Sequence, residues 1–484
     1  MNECRYVPFA DGKEAAHGTA VASVVVGSPF QSLTNQCPDV FADAADIFGV
    51  ASGARAVFVD IGTSDVVTNT VDVQIPYAGF QTMLQSLAYD NSGANAVTLA
   101  WGADTGGAAD AVTRDIDSFV AENADAIVVA AAGLKDGVNG NTALAKNGIS
   151  VGVYSQATSA SLLPTFSVQL SNPIDAASVG NNAVNFCGYE DFTGSSAAAA
   201  VVAGQTALIE QYLKTASAGT VYHYDAAGAE SVAVDPDENV YTGATVKALL
   251  VASANANCFG GVGSGNGFGV PVLDRVLPFE EEHQFDLRVE EHVLTTAGSR
   301  TREIEVTDTS RPLVISLAYT DVAPTPFAAA GHGVVNNVRV SVRSPSTEGA
   351  PNGVVLNAVT ADGVEVDDAA AASNAQRLVV ENPVAGIYTI TVEAVFLTEA
   401  TVEQSVSLVI TGRFAIAAVE GSLTGLEPGE ITSTPACCPW GTVLPTTSCF
   451  PISFIVLIVL GVMIVGLGLI CFFAAKCKVK DVEH

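Results

Sequence analysis

Two segments of the chain carry side chains suited to chemistry near neutral pH. The first is His17-Gly18-Thr19-Ala20-Val21-Ala22-Ser23, a histidine at the start of a small-residue helix. Histidine is the side chain whose ordinary pKa lets it take and return a proton at that pH. The second is Thr193-Gly194-Ser195-Ser196-Ala197-Ala198-Ala199-Ala200-Val201-Val202-Ala203-Gly204, a serine at the opening of a helix that continues to Leu213. A hydroxyl there either caps the helix, by accepting from its free backbone N–H groups, or attacks an electrophile once a base activates it. Taken singly, each segment reads as structure: a lone histidine on a helix, and a cap followed by alanines that permit close packing under a sheet.

The elements that must hold these residues are legible from hydrophobic period. Ala54 to Ile61, Ala96 to Trp101, Asp125 to Ala132 and Ile149 to Tyr154 are short, nearly continuous apolar runs ended by glycine or polar residues, the pattern of strands buried on both faces. Between them Val112, Ile116, Phe119 and Val120 share one face of a helix. Strand and helix in alternation predict a parallel sheet with helices on both faces over residues 1–280. Beyond residue 285 the period falls to two. Val338, Val340 and Val342, then Tyr388, Ile390 and Val392, then Val406, Leu408 and Ile410 alternate with polar partners, and turn signals separate them, which predicts an antiparallel β-sandwich over 285–415.

The remaining chain has a different character. Residues 416–451 read as a stalk, and 452–475 run for 24 residues without a charge, longer than the roughly 20 that cross a hydrocarbon core as a helix. Lys476, Lys478 and Lys480 follow in the tail 476–484, so the positive-inside rule predicts a single-pass type I protein with its bulk extracellular or lumenal. The fold class expected is therefore α/β, with a parallel-sheet domain, an antiparallel β-sandwich and one C-terminal transmembrane helix. Seven cysteines precede the span and none forms a zinc pattern. With 51 acidic against 20 basic residues the net charge is −31, which repels phosphate and excludes nucleic acid as a partner. A composition 49% hydrophobic and only 15% charged excludes intrinsic disorder.

Together the two chemical segments resemble the His and Ser boxes of the subtilisin-like serine peptidases, the subtilases, which read approximately HGTHVAG and GTSMAAPHVAG. Aligning Val202-Ala203-Gly204 on the end of the second box puts the nucleophile at Ser196, and the first box puts the general base at His17. Other landmarks follow in order. Gly49-Val50-Ala51-Ser52-Gly53-Ala54 resembles the segment before a family strand, Leu99-Ala100-Trp101-Gly102 the strand that binds substrate, Ala143 to Val153 a later strand, and Gly267-Phe268-Gly269 the end of the domain. The sandwich resembles the one that follows the catalytic domain in large, membrane-associated subtilases, through Leu317-Ala318-Tyr319-Thr320-Asp321 and Gly386-Ile387-Tyr388.

The resemblance implies a peptide or protein substrate cleaved by acyl transfer, by a chain that its own C-terminal helix anchors to a membrane. It also exposes departures. The family places the Asp that orients the histidine about thirty residues before the His box, and only sixteen residues precede His17; Asp11 matches a loop acid and not the triad member. The reading of this beginning is an incomplete N-terminus that lacks signal sequence, first strand and Asp alike. The family's Ala-Ala-Gly-Asn supplies an amide to the oxyanion, and Ala131-Ala132-Gly133-Leu134 puts a leucine there, unless Asp136 or Asn139 moves into reach. Ala20, Ser23 and Ala200 also differ from the boxes. These departures leave two expectations: a serine endopeptidase that is incomplete or impaired, or a pseudoenzyme that binds peptides or proteins at the cell surface. No cofactor or metal site is expected. Calcium is a family association for which Asp321 with Asn336 or Asn337 offers oxygens, though turn residues of a sandwich are the plainer reading.

Overall fold

The computed structural model describes residues 13–27, 49–60, 62–65, 70–73, 79–90, 93–133, 140–153, 166–168, 174–177, 189–192, 194–215, 221–231, 241–255, 267–278, 285–323, 334–366, 373–398, 402–416 and 454–459. The first half of the chain is built on a parallel sheet. Its strands are β1 (Arg55–Asp60), β2 (Ala96–Leu99), β3 (Ile127–Ala131), β4 (Ile149–Val153) and β5 (Phe166–Val168). The apolar runs are the strands expected, and β2, β3 and β4 are buried along their whole length because helices cover both faces.

Helices α1 (Lys13–Val26) and α3 (Ser195–Thr215) lie together on one face; α2 (Ala111–Glu122) covers the other. Helix α2 turns Ile116, Phe119 and Val120 inward and is fixed at its start by a capping box, in which Asp110 accepts from Thr113 N–H while the Thr113 hydroxyl accepts from Asp110 N–H. The small residues of α3 serve proximity. Ala197 to Ala200 are buried, and a Cβ on Gly204 would stand 2.5 Å from the Val50 Cβ, so only glycine admits the segment that leads into β1.

The second half is the sandwich. One sheet runs in the order β6 (Val221–Tyr224), β7 (Asp286–Thr295), β13 (Glu403–Gly412), β9 (Leu313–Ala318), β11 (Ala375–Val380). The other carries β10 (Asn337–Arg343), β12 (Gly386–Phe396) and β8 (Ser299–Val306) side by side. Alternation along β10 and β12 buries Val338, Val340, Val342, Tyr388, Ile390 and Val392 between the sheets. Strand β6 comes from before the boundary near 280, yet it pairs parallel with β7, so the halves share a sheet. Helix α4 (Gly243–Ser253) packs against β9 and β13 and also against β3. It is buried on every side, which its lack of a polar face makes possible.

A polar network crosses the same junction. The Lys146 ammonium meets the Asp321 carboxylate at 2.5 Å, with both side chains buried, and also donates to Val322 O. Asn147 exchanges hydrogen bonds with the backbone of Asp321, and its N–H donates to the buried Asp117 carboxylate. Lys247, from α4, donates to Lys146 O and Gly148 O. Burial pushes the Asp117 carboxyl up to about 6, against the pull of the Asn147 N–H and of Lys146 and Lys247. Burial likewise draws Lys247 down to about 8, with Asp117 opposing.

The Asp321 carboxylate accepts from the Lys146 ammonium and from the N–H groups of Val335 and Asn336, so its oxygens are engaged at the junction of the two halves. No metal cluster occurs among the described residues. The helix expected over 452–475 is a strand in its described part: β14 (Phe454–Val459) lies between β1 and β2, parallel to both. Residues 460–475 lie outside the described residues, as do 417–453 and the tail 476–484. Among described residues no helix is long and apolar enough to cross a membrane. The physical reason for the difference is that a continuous apolar run rich in isoleucine and valine suits a strand buried on both faces as well as a helix in lipid, and period cannot separate them.

Removing one partner of a buried ion pair leaves the other charge uncompensated, at a cost of about 3–5 kcal/mol. Asp321→Ala is therefore expected to destabilise the protein by roughly that amount, read as a fall in the urea midpoint; an unchanged midpoint would mean that the pair carries no weight at the junction.

Candidate functional site

In an open parallel sheet, ligands bind in the crevice outside the carboxyl ends of the strands. The segments that leave β2 and β3 at that end are Ala100-Trp101-Gly102 and Ala132-Gly133, and the start of α3 points between them. Gly194, at φ +94°, is in the left-handed region that favours glycine, and its carbonyl accepts the first helical hydrogen bond, from Ala198 N–H. This turn delivers two serines to the strand ends. The Ser196 hydroxyl donates to Ala100 O at 3.1 Å, and the Ser195 hydroxyl accepts from Gly133 N–H at 3.0 Å. The hydroxyls thus reach across to the strands, where sequence alone allowed a helix cap. The N–H groups of the first turn have no intrahelical acceptor and face the same crevice end, a place where negative charge is favoured.

His17 sits in the first half of α1, the helix that packs along α3. Its ring meets the Phe192 ring edge-on, with centroids 5.6 Å apart, and Phe192 lies two residues before the turn that carries the serines. Burial holds the imidazole below its ordinary 6.5, and no described carboxylate adds a Coulombic pull. The ring is therefore neutral at pH 7, the form that can accept a proton. His17 and Ser196 are brought to the same helix pair, but among the described residues no hydrogen bond joins them: the Ser196 hydroxyl is given to Ala100 O.

Leu99 closes β2 and is buried; Ala100 and Trp101 are buried after it, and Gly102 is exposed. Trp101 stands edge-on to Phe80 at 5.6 Å. Its carbonyl accepts from the Thr142 hydroxyl at 2.6 Å, so the protein's own hydroxyls already occupy the carbonyls of Ala100 and Trp101. Leu134, Asp136 and Asn139 lie outside the described residues, and so does Asp11.

Sequence reasoning missed the residues that brace this crevice. Asn141 is almost fully buried and uses all of its groups: its side-chain oxygen accepts from Ala103 N–H, its amide donates to Asp110, its N–H donates to Ala103 O, and its carbonyl accepts from the Thr113 hydroxyl. Gly140 N–H donates to Ala132 O. The signal available was faint, an Asn-Thr pair in a run of small residues, and its partners are 28 to 38 positions away.

The family model described as peptidase S8, subtilase family, matches residues 10–270, more than half of the chain. No curated protein matches. Among solved structures, the chain is similar to PliG of Aeromonas hydrophila, a periplasmic inhibitor of g-type lysozyme, at 12% identity over 29% of this chain and 96% of that one, with a TM-score of 0.15. It is also similar to CorA of Methylomicrobium album BG8, a surface-associated copper-binding protein, at 9% identity over 28% and 96%, with a TM-score of 0.10. Neither likeness bears on the site.

A histidine whose folded pKa is lowered favours the neutral form in the native state. Its contribution to stability is present above 6.5 and is lost as pH falls below that value. The His17 ring, followed by NMR, is expected to titrate with a midpoint below 6.5; a midpoint at or above 6.5 would contradict its burial.

Proposed function

Because the chain belongs to the subtilase family, we propose that it is a serine endopeptidase that cleaves peptide bonds in peptides or proteins by acyl transfer. In this reading Ser196 attacks the carbonyl carbon and its proton passes to His17; the imidazolium then gives that proton to the leaving amine, and water, deprotonated by the same ring, attacks the acyl group, which leaves as the acid while the ring returns its proton to the Ser196 oxygen. The observation that carries the reading is the position of Ser196, at the open end of α3 and against the end of β2. There the free N–H groups of the first helical turn can meet the oxyanion of the tetrahedral intermediate. Leu134 offers no side-chain donor to that oxyanion, and loss of one such donor costs about 10²–10³ in turnover. The enzyme is accordingly slow.

A second reading has a specific observation in its favour. The Ser196 hydroxyl is engaged by Ala100 O and not by His17, and only burial acts on the imidazole. These observations support a subtilase-fold pseudoenzyme that would bind peptides or proteins at the cleft without cutting them.

Labelling with a plain alkyl fluorophosphonate decides between the two. The peptidase reading expects adduct on the peptide that contains Ser196, abolished in Ser196→Ala and slowed by several orders of magnitude in His17→Ala, since base and nucleophile act as a unit. Folded protein that takes no label favours the pseudoenzyme.

We further propose that residues 452–475 anchor the chain as a single-pass type I protein, with Lys476, Lys478 and Lys480 on the cytoplasmic side. A strand paired on both edges and a lipid-spanning helix are mutually exclusive states of Phe454–Val459. Anchorage expects the protein to stay in the membrane pellet under alkaline carbonate and to be released when the chain is cut at residue 451. Release of the whole chain by carbonate alone would favour the strand.

A further inference from the structure

Arg377 sits in the middle of β11, where its neighbour Gln376 turns toward the inside of the sandwich: the Gln376 side chain donates to Val338 O and accepts from Val340 N–H on the facing sheet. Alternation along the strand sends the Arg377 side chain the other way, against the first half of the chain, where its guanidinium donates to Phe268 O at 3.4 Å. The Arg377 backbone is well paired, since it and Val359 exchange N–H···O bonds. The side chain is not. Arg377 is only 3% exposed, its Nε has no hydrogen-bond partner, and no carboxylate among the described residues forms an ion pair with it.

Elsewhere the buried cations are answered. Lys146 meets Asp321, Arg288 and Arg302 share the Glu290 carboxylate, and Lys247 donates to two carbonyls. Around Arg377 the nearest charges make matters worse. Arg275 ends the short turn Leu273–Arg275, a few residues after Phe268, and its positive charge bears on Arg377 more strongly than the carboxylate of the exposed Glu381 does. Burial first and Arg275 second draw the Arg377 guanidinium down to about 10, against Glu381, so it keeps its proton at pH 7. A desolvated cation pushed by a second cation is costly, and an anion that meets both removes that cost.

We infer that Arg377 and Arg275 hold a small monovalent inorganic anion, chloride or one of similar size, at the seam between the two halves. Its size follows from the burial, because a carboxylate or phosphate carried on a larger molecule cannot follow the guanidinium inside. Its charge follows from desolvation, whose cost rises with the square of the charge and so weighs far more heavily on a dianion. Bound there, the anion ties β11 of the sandwich to residues 268–275 of the first half. The seam then has a second electrostatic tie besides the Lys146–Asp321 pair, and this one depends on the solution.

The test is urea unfolding of the whole protein at pH 7 and constant ionic strength, with chloride replaced stepwise by gluconate, which is too large for the site. A ligand that binds only the folded state stabilises it with the logarithm of its concentration above Kd, so the urea midpoint is expected to climb with chloride, and bromide is expected to reproduce the climb. Equal midpoints in chloride and gluconate overturn the inference. Arg377→Met keeps an apolar stem and removes the charge; it is expected to lose the chloride dependence and, in gluconate, to match or exceed the unaltered protein, since an unpaired buried charge is gone. Arg275→Gln changes a half-buried residue and is expected to weaken the apparent chloride affinity roughly 10-fold, the effect of one nearby charge. Should Arg377→Met fail to fold, Arg275→Gln decides alone. A chloride dependence that persists unchanged in the folded variants places the anion elsewhere and overturns the assignment of these two residues.

Discussion

Helix α3 can begin where it does only because the inner surface of its first turns is nearly all methyl and hydrogen. With alanine at 197 to 200 and glycine at 204, its backbone comes against the parallel sheet and against Val50 at distances that a larger side chain would forbid. The candidate site follows from that approach. A helix held farther from the sheet would lift its first turn away from the strand ends, and the hydroxyls of Ser195 and Ser196 would not reach Gly133 and Ala100. Packing here is the positional device for chemistry, and interiors this dense transmit a displacement of even one methylene.

The segment between β3 and β4 joins this site to the rest of the molecule. Its first described residues, Gly140 to Thr142, bridge the crevice beside Ser196; a few positions later, Lys146 and Asn147 hold Asp321 and the sandwich. The two jobs fall on one short run of backbone because every group in it must find a partner once buried, and partners exist on both sides. Helix α4 completes the arrangement from beneath, with Lys247 donating to carbonyls of the same segment. The sandwich is thus continuous with the crevice through hydrogen-bonded structure as well as through the shared pairing of β6 with β7.

The C-terminal apolar run sits uneasily between two solutions of one physical problem. Every backbone N–H and C=O removed from water needs a partner, and a helix in lipid and a central strand in a parallel sheet both supply one. In the structure, residues Phe454–Val459 use the second solution and fill the position between β1 and β2. The run from 452 to 475 contains no carboxylate, so this strand brings no acidic group to the sheet against which Ser196 rests.

The sequence by itself determined the periods, and with them the elements: continuous apolar runs became β1 to β4, the 3.6-residue face of Ile116, Phe119 and Val120 became α2, and the two-residue alternation of Val338, Val340 and Val342 became a sandwich strand. The boxes around His17 and Ser196 were equally legible, because their glycines and alanines are demanded by local geometry that leaves a mark in one stretch of chain. Tertiary structure alone decided what the hydroxyls bond to, that Asp321 pairs with Lys146, that Asn141 bridges the crevice, and that Phe454–Val459 took the form of a strand. Those outcomes turn on partners from 14 to nearly 400 positions away, and a side chain's charge, length or hydrophobicity is the same in the sequence whichever partner the fold brings to it.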